Sequence, residues 1–200
     1  MIKIYKQNEI EELANILKND GVISVPTDTV YGICGSINSK KAYQKIIKIK
    51  ERAENKPFPI MCADKEQIKS IAIINEKAEQ LINAFMPSPI TLVLKKKGII
   101  PDYVGNGKET IAVRMATSKT MEELIKKVGN PLFMTSANKS EKPTCTNLEE
   151  IEKQCPLLDG IMEGEVSFGK ASTIVDCSSN EIKILRLGPI SEEQINKIFL

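Results

Sequence analysis

Histidine and tryptophan are both absent from this 200-residue chain. Without histidine, every Ser-His-Asp or Cys-His mechanism is excluded and the commonest transition-metal ligand is missing. Proton transfer falls to carboxylates, lysines or the substrates themselves. Chemistry that rests on neutralising and positioning charge suits such an inventory best. No glycine-rich G-x-G-x-x-G or G-x-x-x-x-G-K-[ST] segment occurs, so Rossmann and P-loop phosphate binding are not indicated. No apolar run approaches membrane-spanning length, and the first twenty residues hold no apolar signal segment. The five cysteines are odd in number and no pair is spaced C-x-x-C, which speaks against a disulfide framework or a zinc ribbon. Reduced thiols in a soluble cytoplasmic protein, away from any membrane, are expected.

What is present is 42% hydrophobic side chains, enough for one ordinary core and too little for two full domains. Charged residues make up 27%, both signs are interspersed, and the formal net charge is +2. No global field therefore favours polyanions, and any such binding must be local. Helical and strand patterns alternate, with no repeat, low-complexity tract or linker. A helix is expected from Asn8, with Ile10, Leu13, Ala14 and Leu17 on one face and Glu11 completing a capping-box spacing. A second should start near Ser39. Further helices are expected at 76–85, 120–128 and 148–154, and a last one, capped by Ser191 with Gln194, should run through Ile198. Strands are expected at 22–25, 59–63, 90–94, 111–114, 131–134, 173–175 and 182–185. The pattern predicts one α/β domain over 1–200, a twisted mixed sheet flanked by helices.

Four segments concentrate reactive groups. Pro26-Thr27-Asp28-Thr29-Val30-Tyr31-Gly32 follows a buried strand and carries hydroxyls, a carboxylate and a phenol; it reads equally well as an Asx or ST turn bonding its own backbone. Lys50 shares a helical face with Tyr43, Ile46 and Ile47, so it points inward and needs an anionic partner. With Arg52 and Lys56 it would make a phosphate clamp, although a solvated basic helix end explains Arg52 and Lys48 as well. Thr135-Ser136-Ala137-Asn138 closes a strand and is followed by a polar stretch, 139–144, that could close over a ligand. Arg114, Ser172-Thr173 and Arg186 stand at strand ends, where an arginine pairs about as often with a structural carboxylate as with a ligand.

In this order the segments resemble the threonylcarbamoyl-AMP synthase family (YrdC/TsaC-like, in its short form). The matching pieces are PTDTVYG at 26–32, KER with NKP at 50–57, PSPITLVL at 87–94, TIAVRM at 110–115, TSANKSEKPT at 135–144, STIVD at 172–176 and ILRLGPI at 184–190. The resemblance implies one α/β domain with an open basic cleft. It assigns threonine contacts to Thr29, Met61, Arg114, Met134 and Ser172. ATP contacts fall on Lys50, Arg52, Lys56, Thr110, Ser136, Asn138, Thr144 and Arg186, with Lys50 and Arg52 catalytic. It further implies that threonine nitrogen and bicarbonate form a carbamate whose oxygen attacks the α-phosphate of ATP. Mg²⁺ would accompany ATP, and downstream proteins would transfer the product to tRNA. Two other readings are a double-stranded RNA-binding module and a carbamoyl-adenylate transferase. Against the first stand the 4% aromatic content and the absence of a recognised RNA motif. Three positions depart from the family pattern: Glu141 and Ser88 stand where glycine is usual, and Ala116 where proline is usual.

Overall fold

The computed structural model describes residues 1–51, 57–166 and 171–200. Six helices start where a short polar side chain accepts the amide three residues on: Ser39 from Ala42, Asp64 from Gln67, Asn75 from Ala78, Ser118 from Met121, Asn147 from Glu150 and Ser191 from Gln194. Such caps each stabilise by about 1 kcal/mol. These helices are α2 (Lys40–Lys50), α3 (Lys65–Ile71), α4 (Glu76–Phe85), α6 (Lys119–Val128), α7 (Leu148–Gln154) and α8 (Glu192–Asn196). The other two are α1 (Ile10–Lys18) and α5 (Asp102–Gly105). The expected capping box of α1 is not formed: Glu9 is its N-cap and makes no side-chain cap bond, its carboxylate instead taking the Lys6 amide at 2.7 Å. The last helix stops at Asn196 and tightens into a 3₁₀ turn, Lys197–Phe199, before the expected end.

The strands are β1 (Ile4–Tyr5), β2 (Val22–Pro26), β3 (Tyr31–Ser36), β4 (Ile60–Cys62), β5 (Ala72–Ile73), β6 (Ile90–Lys96), β7 (Thr110–Met115), β8 (Leu132–Ser136), β9 (Gly160–Met162), β10 (Thr173–Asp176) and β11 (Lys183–Arg186). They form one mixed sheet in the order β1-β9-β2-β3-β8-β4-β7-β6-β10-β11, with β5 added to β6. The pairs β1/β9, β2/β9, β4/β7 and β6/β10 are parallel; the remaining pairs are antiparallel.

Because successive strand residues face opposite sides, the sheet divides the core in two. Ile33, Ile60, Cys62 and Phe133 go to one face with Ala42, Tyr43 and Ile46 of α2 and Leu81 of α4. Cys34, Met61, Leu132 and Met134 go to the other with Leu13 and Leu17 of α1 and Leu124 and Ile125 of α6. All five cysteines are buried and unbridged. No helix among the described residues is long and apolar enough to cross a membrane.

Candidate functional site

A cleft of about 520 Å³ opens at one edge of the sheet, a size in the ordinary range for small-molecule sites. The β2–β3 turn, the ends of β7, β8 and β11, and the starts of β6 and β10 converge there. Its described lining consists of five threonines, two serines, Arg114, Arg186 and small or apolar residues, with no carboxylate.

The β2–β3 turn is an ST turn in the sense expected from sequence. Thr27 Oγ1 accepts the amides of Thr29 (3.3 Å) and Val30 (3.2 Å) and donates to the Val30 carbonyl (2.5 Å). Thr27 fixes the turn, and the fixed turn presents Thr29, 8% exposed, to the cleft. Tyr31 is diverted from the site, its phenol donating to the Gly164 carbonyl at 2.5 Å, and burial pushes its pKa up.

Arg114 ends the apolar strand β7 and is 7% exposed. Its Nη2 donates to both carboxylate oxygens of Asp28, at 2.8 and 3.0 Å, while its Nε is buried without a partner. A buried N–H left unsatisfied costs about 1–3 kcal/mol. Asp28 thus engages one of the three guanidinium nitrogens of a residue that lines the cleft. Across the cleft, Ser172 and Thr91, the latter not singled out from sequence, hydrogen-bond through their hydroxyls at 2.9 Å. Arg186 clasps the Ser172 carbonyl with Nε (3.0 Å) and Nη2 (2.8 Å). Partial burial lowers its pKa, though an arginine stays charged at neutral pH. Gly188 lets this segment lie against β10: a Cβ there would meet the Ala171 carbonyl at 2.3 Å and the Thr173 amide at 2.5 Å.

Lys50 points inward, as its helical phase predicts, and is 3% exposed. It does not line the cleft. Its Nζ donates to the Ser136 carbonyl and to Asn138 Oδ1, both at 2.7 Å. Asn138 Oδ1 also accepts from Ser136 Oγ (2.6 Å), and its Nδ2 reaches the carbonyls of Lys139 (2.9 Å) and Lys142 (2.6 Å). The Ser140 amide returns to the Lys50 carbonyl at 2.8 Å, and Lys139 pairs with Glu51. Lys50 and Asn138 thus stand one layer behind Ser136 and bind the loop 137–145 to the end of α2.

Of the other residues assigned from sequence, Ser136, Thr144, Met134 and Ser172 line the cleft together with Thr29, Arg114 and Arg186. Met61 does not: it is 1% exposed, within the core cluster on one face of the sheet. Thr110 is not brought to the cleft either. It begins β7 opposite Lys95, four residues from Arg114, roughly 13 Å along the strand. Arg52 and Lys56 lie outside the described residues. Asp28 was quoted from sequence only as part of a motif; its separation of 86 positions from Arg114 hid the partnership.

The fold and site together define a mixed α/β protein with a cleft of guanidiniums and hydroxyls at the ends of its strands. The chain belongs to the Sua5–YciO–YrdC family, whose model, described as "Telomere recombination", matches residues 15–188. It is 35% identical over 203 residues to a relative from Methanocaldococcus jannaschii, spanning 98% of this chain and 96% of that one. The threonylcarbamoyl-AMP synthase of Vibrio parahaemolyticus is 31% identical over 182 residues, 88% of this chain and 97% of its own length. The chain spans 57% of the threonylcarbamoyl-AMP synthase of Pyrococcus abyssi, to which it is 32% identical over 197 residues. A solved structure of P. abyssi Sua5 complexed with L-threonine matches 99% of this chain at a TM-score of 0.91 and 30% identity, the match spanning 60% of that chain.

Proposed function

We propose that this chain is a threonylcarbamoyl-AMP synthase, joining L-threonine, bicarbonate and ATP into threonylcarbamoyl-AMP and pyrophosphate. The observation that carries the reading is Arg114, a guanidinium that Asp28 holds through Nη2 alone and that lines a cleft whose described lining has no carboxylate. Its partner in the reaction is the threonine carboxylate, which a guanidinium takes by charge-assisted hydrogen bonds. Met134, Thr29 and Ser172 line the same cleft. Ser136, Thr144 and Arg186 provide donors for the nucleotide, and Lys50 adds positive charge from the layer behind.

Threonine nitrogen bonds to the carbon of carbon dioxide with loss of an N–H proton, or to that of bicarbonate with loss of water, to give a carbamate. A carbamate oxygen then attacks the α-phosphorus of ATP, and the bond to the β-phosphate oxygen breaks to release pyrophosphate. No covalent enzyme intermediate is required, which suits a chain without histidine: transfer at phosphorus is largely positioning and electrostatics. Mg²⁺ enters with ATP as part of the substrate. Among the described residues no group of three potential ligand side chains could hold a metal, so triphosphate oxygens and water would coordinate it. The product is a mixed anhydride suited to passing its threonylcarbamoyl group to tRNA through downstream proteins.

Mass spectrometry of the product formed from ATP, threonine and bicarbonate tests the reading. A nucleotide with the mass of threonylcarbamoyl-AMP, released with pyrophosphate, is expected. ADP with phosphate, or RNA binding without turnover, would overturn it.

A further inference from the structure

We infer that Asp28 is a positioning residue for the amino-acid subsite, holding the Arg114 guanidinium by Nη2 alone so that the rest of the fork stays oriented for the incoming carboxylate. The inference rests on the reading of the cleft as a threonine site. Asp28 and Arg114 come from distant parts of the sheet. In the order β3-β8-β4-β7, the turn that carries Asp28 and the strand that carries Arg114 are separated by β8 and β4, roughly 14 Å at ordinary strand spacing. The ion pair closes that gap, and both partners are ordered for it. Thr27 pins the backbone on either side of Asp28, and Arg114 is almost wholly enclosed at the end of β7.

The way the pair is made matters more than its presence. A carboxylate usually meets an arginine fork to fork, one oxygen on each of two nitrogens. Here both oxygens of Asp28 converge on Nη2, at 2.8 and 3.0 Å, and Nε is left without an acceptor. Were Asp28 present only to neutralise a buried charge, the fork geometry would satisfy Nε as well. Occupying one nitrogen instead fixes the plane of the guanidinium and reserves another donor for a second acceptor. Asp28 also borders a smaller cavity of about 250 Å³ on its other side, with Thr117 and Ser118. It therefore stands as a wall behind Arg114 and does not line the main cleft.

An opposite role is conceivable for the same contact: Asp28 as a competitor that a ligand must displace. The two roles predict effects of opposite sign. In the positioning role, Asp28→Ala frees the guanidinium to turn. Losing a charge-assisted hydrogen bond of this kind weakens threonine binding about 10–100-fold, with the KM for ATP nearly unchanged. Asp28→Asn keeps an acceptor for Nη2 and should recover part of the loss. Threonine affinity is to be read by calorimetry without ATP, alongside KM and kcat for both substrates and the melting temperature of each variant. The inference holds if threonine affinity alone falls in a folded Asp28→Ala protein and partly returns in Asp28→Asn. Unchanged or tighter threonine binding overturns it, as does a parallel loss for threonine and ATP in Asp28→Asn. A wild-type protein that neither binds nor uses threonine would sink the parent reading itself, a result separate from any behaviour of the variants.

Discussion

Arg114 and Glu141 show how much rests on single side chains. Lysine at position 114 would keep the charge but lose the planar fork, and so could not hold Asp28 while presenting a second donor in fixed geometry. Arg114→Lys should raise the threonine KM by at least about tenfold and leave the ATP KM within about twofold; steady-state kinetics with each substrate varied in turn would check this. Equal weakening toward both substrates would make Arg114 a structural residue. Glu141 sits at φ +68° as the third residue of the turn closed by the Lys142 amide on the Lys139 carbonyl, 3.1 Å. That position needs a left-handed backbone, which glycine adopts freely and other residues only at a cost. The family's usual glycine is thereby explained, and so is the strain in this chain. Glu141→Gly should stabilise the protein by roughly 1 kcal/mol, seen as a raised denaturation midpoint with activity preserved. A loss of activity would show that the carboxylate itself has acquired a role. Ala116 has a different reason: its amide donates to the Cys62 carbonyl at 2.9 Å, a β4–β7 contact that the usual proline could not make.

At the scale of elements, the sequence was most informative where periodicity was strong and caps were explicit. The helices 76–85 and 148–154 lie where their patterns put them, and Ser39 and Ser191 cap as their spacing requires. It was least informative for β3, Tyr-Gly-Ile-Cys-Gly-Ser, which is missing from the expected strands. All six residues are buried, and the glycines serve close packing: a Cβ at Gly32 would meet Met134 Sδ at 2.4 Å, and one at Gly35 the Ala42 Cβ at 3.0 Å. The strand α-helical crossovers that place β9 beside β2 likewise leave no trace in local pattern, since β9 is only three residues long. For the site, the helical phase of Lys50 gave its inward direction but not its partners, because those come from residues 86 and 88 positions away. Lys50→Met tests the consequence. It retains an apolar stem but leaves the Ser136 carbonyl and Asn138 amide short of a donor, at a cost of about 1–3 kcal/mol. Hydrogen exchange at the Ser140 and Cys145 amides should quicken and ATP binding should weaken. Unchanged exchange in a protein that loses ATP affinity would instead assign Lys50 to direct contact with phosphate.

At the scale of the whole molecule, the strand order does what no single motif could: it gathers groups from 27 to 186 at one edge of a single sheet. The site so formed has two guanidiniums and many hydroxyls but, among its described lining, no carboxylate or imidazole to serve as the base that would activate a hydroxyl nucleophile. The central claim is therefore that the substrates supply the nucleophile, as a carbamate. An enzyme that activated the threonine carboxylate directly would release pyrophosphate from ATP and threonine alone. Here the attacking oxygen comes from bicarbonate or carbon dioxide. The most direct measurement is threonine-dependent pyrophosphate release in buffer stripped of carbon dioxide, repeated with labelled bicarbonate restored. The account predicts background release in the first condition, recovery in the second, and the label retained in the adenylate product. Pyrophosphate release that proceeds undiminished without bicarbonate would contradict it.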